Sequence, residues 1–309
     1  MTMVQRPIIV VGSANTDMIL KMERLPRPGE TVLGGAFAMA AGGKGANQAV
    51  GAARAGGRVV FVARVGRDDF GARAIEGLAR DRIVVDYMIR DGHRPTGVAL
   101  IFVARNGENS IAVASGANAA LSAKDVRNAA PAFAGAGFLL TQLETPLDGV
   151  AAAVELAARR GLRIILNPAP ARRLPGGLLK IVDILTPNES EAEILTGVRV
   201  AGARDAARAA AILRKKGVGT VIVTLGARGA FVSGPDGAVL VPGFKVKAVD
   251  TTAAGDIFNG ALAVALSEGK EVADAVRFAN AAAAVSVTRL GAQPSAPKRR
   301  EIEAFLAGY

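Results

Sequence analysis

A carboxylate set among small residues at the start of an apolar helix can serve as a base beside a bound anion. The stretch Asp250-Thr251-Thr252-Ala253-Ala254-Gly255-Asp256-Ile257-Phe258-Asn259-Gly260 has that composition. It follows a strand-like run, Phe244 to Val249, and leads into an apolar helix, Ala261 to Leu266. The first N–H groups of a helix lack intrahelical acceptors and carry partial positive charge, so a phosphate is well placed there. Small side chains at Ala253, Ala254 and Gly255 let a ligand approach the backbone. On residue types alone, Asp256 is either an acidic residue favoured in any first helical turn or a participant in chemistry.

The second such stretch is Gly42-Gly43-Lys44-Gly45-Ala46-Asn47-Gln48-Ala49. Glycines around a lysine place backbone close to a ligand. Lys44 is followed by Gly45 rather than Ser or Thr, so this is not a Walker A loop, and no G-x-G-x-x-G occurs in the chain. The competing reading is a tight turn into a helix over Ala46–Arg54. Asn15 and Asp17 end the first strand, where their side chains can hydrogen-bond adjacent sugar hydroxyls or simply make a turn. Glu144 ends another strand. Asn188, Glu189 and Glu191 open a helix, with capping as the default role. Thr224-Leu225-Gly226-Ala227-Arg228-Gly229 is a strand end followed by a glycine turn, a position suited to a nucleotide.

Short apolar runs must position these groups. Ile8–Gly12, Val59–Val65, Phe138–Leu143, Arg163–Leu166, Asp183–Leu185 and Thr220–Leu225 read as strands. Helical spacing marks Asp68–Arg80, Ala123–Ala134, Leu147–Arg160, Glu189–Leu195 and Arg204–Lys216. Strands alternating with helices imply βαβ units and a doubly wound, mainly parallel sheet with helices on both faces. Ligands of such sheets bind beyond the carboxyl ends of the strands. Thr31–Met39 and Gly97–Ser115 break the pattern. Asn106-Gly107 between β-rich runs is a hairpin signal. We expect a small antiparallel β lid, from about residues 18–41 and 93–116, on a single α/β domain spanning 1–309.

Composition removes several classes of chemistry. There is no Cys and one His, His93, so thiolate metal sites, disulfides and a Ser-His triad are discounted. The net charge is +11, but basic residues are scattered and only two Tyr and no Trp are present to stack on bases, which disfavours nucleic acid. The apolar run Ile8 to Val11 is too short for a signal-peptide core, and no stretch of about 18 continuous apolar residues is present. The expectation is a soluble cytoplasmic protein.

The two glycine-bearing stretches resemble the N-terminal and C-terminal signatures of the ribokinase-type carbohydrate kinases. Gly107-Glu108-Asn109-Ser110-Ile111, Ser115-Gly116-Ala117-Asn118, Leu166-Asn167-Pro168-Ala169-Pro170, Leu185-Thr186-Pro187-Asn188-Glu189 and Arg289-Leu290-Gly291-Ala292-Gln293-Pro294-Ser295 extend the resemblance from about Ile8 to Phe305. Met39-Ala40-Ala41 departs from it as a less polar lead-in to the first glycine loop. The resemblance implies ATP-dependent phosphorylation of the 5-hydroxyl of D-ribose; the alternatives are a related kinase for another furanose, a nucleoside or a sugar acid and, more remotely, a non-catalytic sugar-binding protein. It implies that Asn15, Asp17, Gly43, Lys44, Asn47 and Glu144 bind the sugar. It places Asn188 and Glu191 near the phosphates and Mg²⁺, and Thr224, Gly226, Gly229 and Asn280 about the nucleotide. It implies that Ala253, Ala254 and Gly255 offer amides to the transferring phosphoryl group and that Asp256 is the base, kept ionised by those amides. It further implies K⁺ beside Asp250, Thr252, Ser286, Arg289, Gly291 and Ser295, and a homodimer joined through the lids.

Overall fold

Aliphatic runs too short for a helix and lacking polar alternation become strands buried on both faces. Ile8-Ile9-Val10-Val11 is such a run, and all four residues are fully buried. The computed structural model describes residues 6–309. In chain order its elements are β1 (Ile8–Val11), β2 (Asn15–Met22), β3 (Ala36–Gly42), α1 (Lys44–Arg54), β4 (Val59–Gly66), α2 (Asp69–Arg80), β5 (Met88–Asp91), β6 (Gly97–Ala104) and β7 (Asn109–Ala114). Then follow α3 (Ala123–Asn128), β8 (Phe138–Thr141), α4 (Leu147–Arg159), β9 (Arg163–Leu166), α5 (Gly176–Leu179), β10 (Ile184–Leu185), α6 (Glu189–Thr196), α7 (Ala203–Lys215) and β11 (Thr220–Thr224). The chain closes with β12 (Ala230–Gly234), β13 (Gly237–Val241), α8 (Ala254–Ser267), α9 (Val272–Ser286) and α10 (Arg299–Ala307).

The main sheet runs β13-β12-β11-β10-β9-β8-β1-β4-β5. Every pairing from β5 to β11 is parallel, and β12 and β13 close one edge antiparallel. Alternate residues of each strand feed two cores. Ile8, Val10, Phe61, Leu140 and Ile222 pack with α1, α2, α8, α9 and α10, and Ile9, Val11, Leu139, Ile164 and Val221 pack with α3 to α7. This is the doubly wound arrangement expected from the βα alternation. Among the described residues, no helix is long and apolar enough to cross a membrane.

A second sheet runs β3-β2-β6-β7. Its outer pairings, β2 with β3 and β6 with β7, are antiparallel as expected, and its central pair, β2 with β6, is parallel. The Asn106-Gly107 signal is a hairpin: Gly107 has φ 87° and its N–H donates to the Ala104 carbonyl at 2.9 Å. The strand expected over Thr31–Met39 lies later, at Ala36–Gly42, after a loop with left-handed Gly34 and Gly35. The strand β2 starts at Asn15, so Asn15 and Asp17 belong to this sheet instead of ending the first strand.

Three other expectations change. The helix expected over Ala123–Ala134 stops at Asn128, and Pro131, which has no N–H, falls in a separate 3-10 turn. Phe244 to Val249 forms no strand, and the N–H groups of Val249 and Asp250 instead donate to the carbonyl of Val287 beyond α9. The apolar helix is longer than the run Ala261 to Leu266 and begins at Ala254, with Asp256 in its first turn as expected.

Helices α1 and α8 cross with their backbones nearly touching. A Cβ at Gly260 would fall 2.6 Å from the backbone N of Ala52 and from the carbonyl oxygen of Gln48. The close crossing holds Asn47 and Gln48 against the first turn of α8. Gly260→Ala is therefore expected to cost about 1–3 kcal/mol by overpacking, read from denaturant unfolding.

Candidate active site

The first glycine loop is shaped by what lies against it. A Cβ at Gly42 would fall 2.2 Å from Asp17 Oδ2, and one at Gly45 would fall 2.6 Å from the backbone N of Ser13. Gly43 precedes α1 with φ 89°, a left-handed conformation that costs glycine little. The loop thus lets Asp17 and the end of β1 lie on the start of α1. Glu144 closes the same end. Its Oε2 accepts from Ser13 Oγ at 2.5 Å and from the N–H of Lys44 at 2.9 Å. Part of the role of Glu144 is therefore to satisfy an unpaired helix-start amide. Asn118, following β7, donates from Nδ2 to Asn15 Oδ1 at 2.7 Å and fixes that side chain. A cavity of about 420 Å³ opens here, lined by Ser13, Asn15, Asn118, Glu144 and Arg172 among others.

Asp256 is only 6 % exposed. Its Oδ2 accepts from Asn47 Nδ2 at 3.0 Å and its Oδ1 from Gln48 Nε2 at 3.0 Å. The two glycine-bearing stretches therefore meet at one carboxylate. At the start of α8, Ala253 adopts φ 59° without being glycine. The N–H of Ala254 donates to the Thr251 carbonyl at 3.2 Å, so it is not among the free amides expected. Ala253, Gly255 and Asp256 have amides with no acceptor in the chain among the described residues. In the set of unpaired amides Asp256 thus takes the place of Ala254.

The phosphate-side residues come together differently. Asn188 caps α6, with its Oδ1 accepting from the Glu191 N–H at 2.8 Å and Glu191 Oε2 accepting from the Asn188 N–H at 2.9 Å. This reciprocal box makes capping a real duty of both residues, and Glu189 instead pairs with Arg228. Thr224 bridges Asn188 as a parallel partner. Gly229 has φ 97°, and a Cβ there would fall 2.1 Å from the Val241 carbonyl oxygen. Asn280 on α9 donates to that carbonyl at 3.3 Å and to the Pro242 carbonyl at 3.2 Å. Thr224, Gly226, Gly229 and Asn280 are thus neighbours across one loop.

Asp250 ties two segments. Its Oδ1 accepts from the Thr252 N–H at 2.9 Å and Oγ1 at 2.6 Å, and its Oδ2 accepts from the Gly291 N–H at 2.8 Å. Burial raises its proton affinity, but those bonds and nearby Lys21 outweigh it and the carboxyl sits below its ordinary range. The carbonyl oxygens of Thr252, Arg289, Gly291 and Ser295 take no hydrogen bond among the described residues, whereas that of Ser286 accepts from the Arg289 N–H. Unused carbonyls beside a carboxylate suit a weakly hydrated monovalent cation.

The site carries more negative than positive charge. Glu144 and Asp256 act on Asp17, and Asp256 acts on Glu191, while the Lys44 ammonium offsets Asp256, Glu144 and Glu191. Burial pushes Asp17 up to about 6, helped by the charges of Glu144 and then Asp256. Burial also raises Glu191 and Asp256. For Asp256 the direction is opposite to that expected from the helix amides, because desolvation outweighs Lys44, Asn47 and Gln48. Lys44 is lowered by burial and raised, on balance, by Asp256, Glu144 and Glu191. A raised carboxylate beside anion-binding amides is suited to proton abstraction during transfer of an anionic group.

Sequence reading missed a set of buried amides beneath Asp256: Gln48, Gln142 and Asn167, with Thr186 and Asn259 alongside. Gln142, Asn167 and Thr186 each stand immediately after a strand, β8, β9 and β10. That position, beyond the carboxyl ends of a parallel sheet, was the one available signal.

Comparison with known proteins agrees with this geometry. Residues 5–299 match the pfkB family carbohydrate kinases. A ribokinase of Haemophilus influenzae is 47% identical over 98% of this chain and 99% of its own. The crystal structure of a Thermotoga maritima ribokinase is 42% identical with TM-score 0.88, covering 98% of this chain and 99% of that one. An Arabidopsis thaliana ribokinase complexed with ribose and ATP is 35% identical with TM-score 0.90, again covering 98% and 99%. Matched along nearly its whole length, with both glycine-bearing stretches meeting at Asp256, the chain belongs to the pfkB family of carbohydrate kinases.

Proposed function

We propose that this chain transfers the γ-phosphoryl group of ATP to the 5-hydroxyl of D-ribose, giving ribose 5-phosphate and ADP. The observation that carries the mechanism is Asp256, buried at the start of α8 beside unpaired amides and bonded to Asn47 from the first glycine loop. Asn15, Asp17, Gly43, Asn47 and Glu144 hold the sugar. Asp256 accepts the proton of the 5-hydroxyl as its oxygen bonds to phosphorus and the bond to the departing ADP oxygen breaks. The amides of Ala253, Gly255 and Asp256 face the equatorial oxygens, where transition-state charge gathers. Lys44, directed among Asp256, Glu144 and Glu191, sits between sugar and phosphates. Asn188, Glu191, Thr224, Gly226, Gly229 and Asn280 hold the nucleotide.

Four carboxylates about one ammonium repel a polyphosphate unless cations accompany it. Among the described residues one oxygen of Glu191 takes no hydrogen bond, which suits Mg²⁺ carried on the ATP phosphates, since that ion is commonly held by one or two carboxylates plus substrate. When bound, Mg²⁺ neutralises charge on the phosphates. The Asp250 loop suits K⁺ through the carbonyls of Thr252, Arg289, Gly291 and Ser295. Turnover is expected to be higher in potassium chloride than in choline chloride, and equal rates in the two would remove K⁺ from the account.

The second sheet acts as a lid, because Asn15 and Asp17 lie on its strand β2. Register puts Phe37 beside Leu20 and Phe102, and Met39 beside Met18 and Leu100, all on one face. Phe37, Met39 and Leu100 are exposed. An apolar sheet face of this kind supports a homodimer through the lids. In light scattering, the double variant Phe37→Glu, Leu100→Glu is expected to have half the mass of the parent, and a monomeric parent would exclude the dimer.

The test of substrate is a panel assayed with ATP and Mg²⁺: D-ribose, other furanoses, nucleosides and sugar acids. D-ribose is expected to give the highest kcat/KM. Sugar acids are expected to be poor, because a carboxylate would enter a site already rich in carboxylates. A nucleoside or another furanose surpassing ribose would overturn the assignment.

A further inference from the structure

The buried amides beneath Asp256 form a hydrogen-bond chain whose direction is set by the backbone. Asn167 Nδ2 donates to the carbonyl of Thr186 at 3.0 Å. A carbonyl only accepts, so Asn167 must turn its Oδ1 toward Gln48. Gln48 Nε2 donates to that oxygen at 3.0 Å and to Asp256 Oδ1 at 3.0 Å, using both its hydrogens. Its Oε1 accepts from Gln142 Nε2 at 2.6 Å. Reversing the Gln48 amide would set its one oxygen against both Asn167 Oδ1 and the Asp256 carboxylate, and its nitrogen against the Gln142 Nε2 donor. Gln48 and Gln142 are fully buried, so no solvent is at hand to relieve that clash of acceptors.

The other oxygen of Asp256 is held less firmly. Oδ2 accepts from Asn47 Nδ2, and Asn47 Oδ1 is buried without any partner. The spare oxygen of Asn47 can take a bond from an incoming hydroxyl. The two carboxylate oxygens therefore differ: one faces a donor whose every other bond is made within the chain, the other a donor whose amide oxygen is unpaired among the described residues.

We propose that Gln48 is a positioning residue for phosphoryl transfer, holding Asp256 Oδ1 so that Oδ2 is the oxygen that takes the sugar proton. The inference rests on Asp256 being the base and assigns the asymmetry of that base to a residue with no contact to sugar or nucleotide. As the sugar oxygen bonds to phosphorus, its proton passes to Oδ2, while Oδ1 keeps its bond to Gln48 and becomes the carbonyl oxygen of the protonated acid. The charged groups facing Asp256 are Lys44 from α1, Asp17 from β2, Glu144 after β8 and Glu191 from α6. None of them bonds to Oδ1, whose partner is Gln48.

The test is the pH dependence of kcat in the full-length enzyme. Gln48→Met keeps the bulk and removes a donor that favours the charged base. The acid limb of its profile is expected to move up by about one unit, with about tenfold lower turnover on that limb, recovering toward the parent at high pH. The KM for ribose is expected to stay near that of the parent, since Gln48 is not in the sugar pocket. Asn167→Ser frees Gln48 to turn without touching Asp256, and its limb is expected to move the same way by less. A folded Gln48→Met enzyme with lowered stability but an unmoved limb would mark a packing role and overturn the proposal while leaving the base in place. Should Gln48→Met fail to fold, an unmoved limb in Asn167→Ser overturns it equally. Asp256→Asn is measured alongside: turnover in that variant would defeat the base assignment, and this inference with it.

Discussion

Asp256→Asn folds and binds ribose but loses at least about a hundredfold in turnover, the range set by removal of a general base. The fold survives because both hydrogen bonds can be remade. Gln48 presents a donor of fixed direction to Oδ1, so the new amide turns its oxygen there and its nitrogen toward Asn47. Asn47 has a buried, unpartnered Oδ1 to accept from it. The variant also no longer buries a charge, and burial is the main cause that raises Asp256. Its stability at neutral pH is therefore expected to equal or exceed that of the parent, a gain at the expense of function of the kind active sites commonly conceal. Steady-state ADP release and thermal unfolding, measured on the same preparation, check both halves. Near-normal turnover in the folded variant would rule out Asp256 as the base. A lost fold would contradict the hydrogen-bond exchange with Asn47.

Much of this site was legible before any coordinates. The aliphatic runs at Ile8 and Val59 read as strands, and the carboxyl ends of the parallel strands pointed to the end of the sheet where the candidate site lies. Asn106-Gly107 announced its hairpin through turn chemistry. What escaped depended on contacts distant in sequence. The left-handed cap of α8 was hidden because Ala253 takes a conformation that glycine usually marks. Phe244 to Val249 has the composition of a strand, yet β13 already closes that edge and the segment bonds to Val287 instead. The raised affinity of Asp256 for protons comes from burial against α1, which local sequence does not encode. Gln48 looked like one more polar residue after Asn47, since its meaning lies in Gln142, Asn167 and Asp256, up to 208 positions away.

Asp17 carries the largest expected effect on sugar affinity. Its carboxyl titrates near 6, where burial, then Glu144 and Asp256, have pushed it. Sugar hydroxyls donate to the charged form, so the complex keeps Asp17 ionised and binding near pH 6 releases a proton. Below that pH the apparent affinity for ribose is expected to fall by about tenfold per pH unit, each pKa unit being worth about 1.4 kcal/mol. Calorimetry in two buffers of different ionisation enthalpy reads the released proton directly, and identical heats would exclude the linkage. Asp17→Asn removes charge-assisted bonds worth about 1.5–3 kcal/mol, so the KM for ribose should rise roughly 10–100-fold, with a smaller change in kcat. The sign for stability is opposite. Because the folded carboxyl binds its proton more tightly than the unfolded one, the native state is favoured below the ordinary value of 3.8 and loses ground as pH rises through about 6. That loss amounts to roughly 3 kcal/mol at neutral pH, and Asp17→Asn should recover part of it as a higher melting temperature at pH 8 but not at pH 4. A variant that binds ribose normally, or one no more stable at pH 8 than the parent, would show that Asp17 neither holds the sugar nor carries a buried charge.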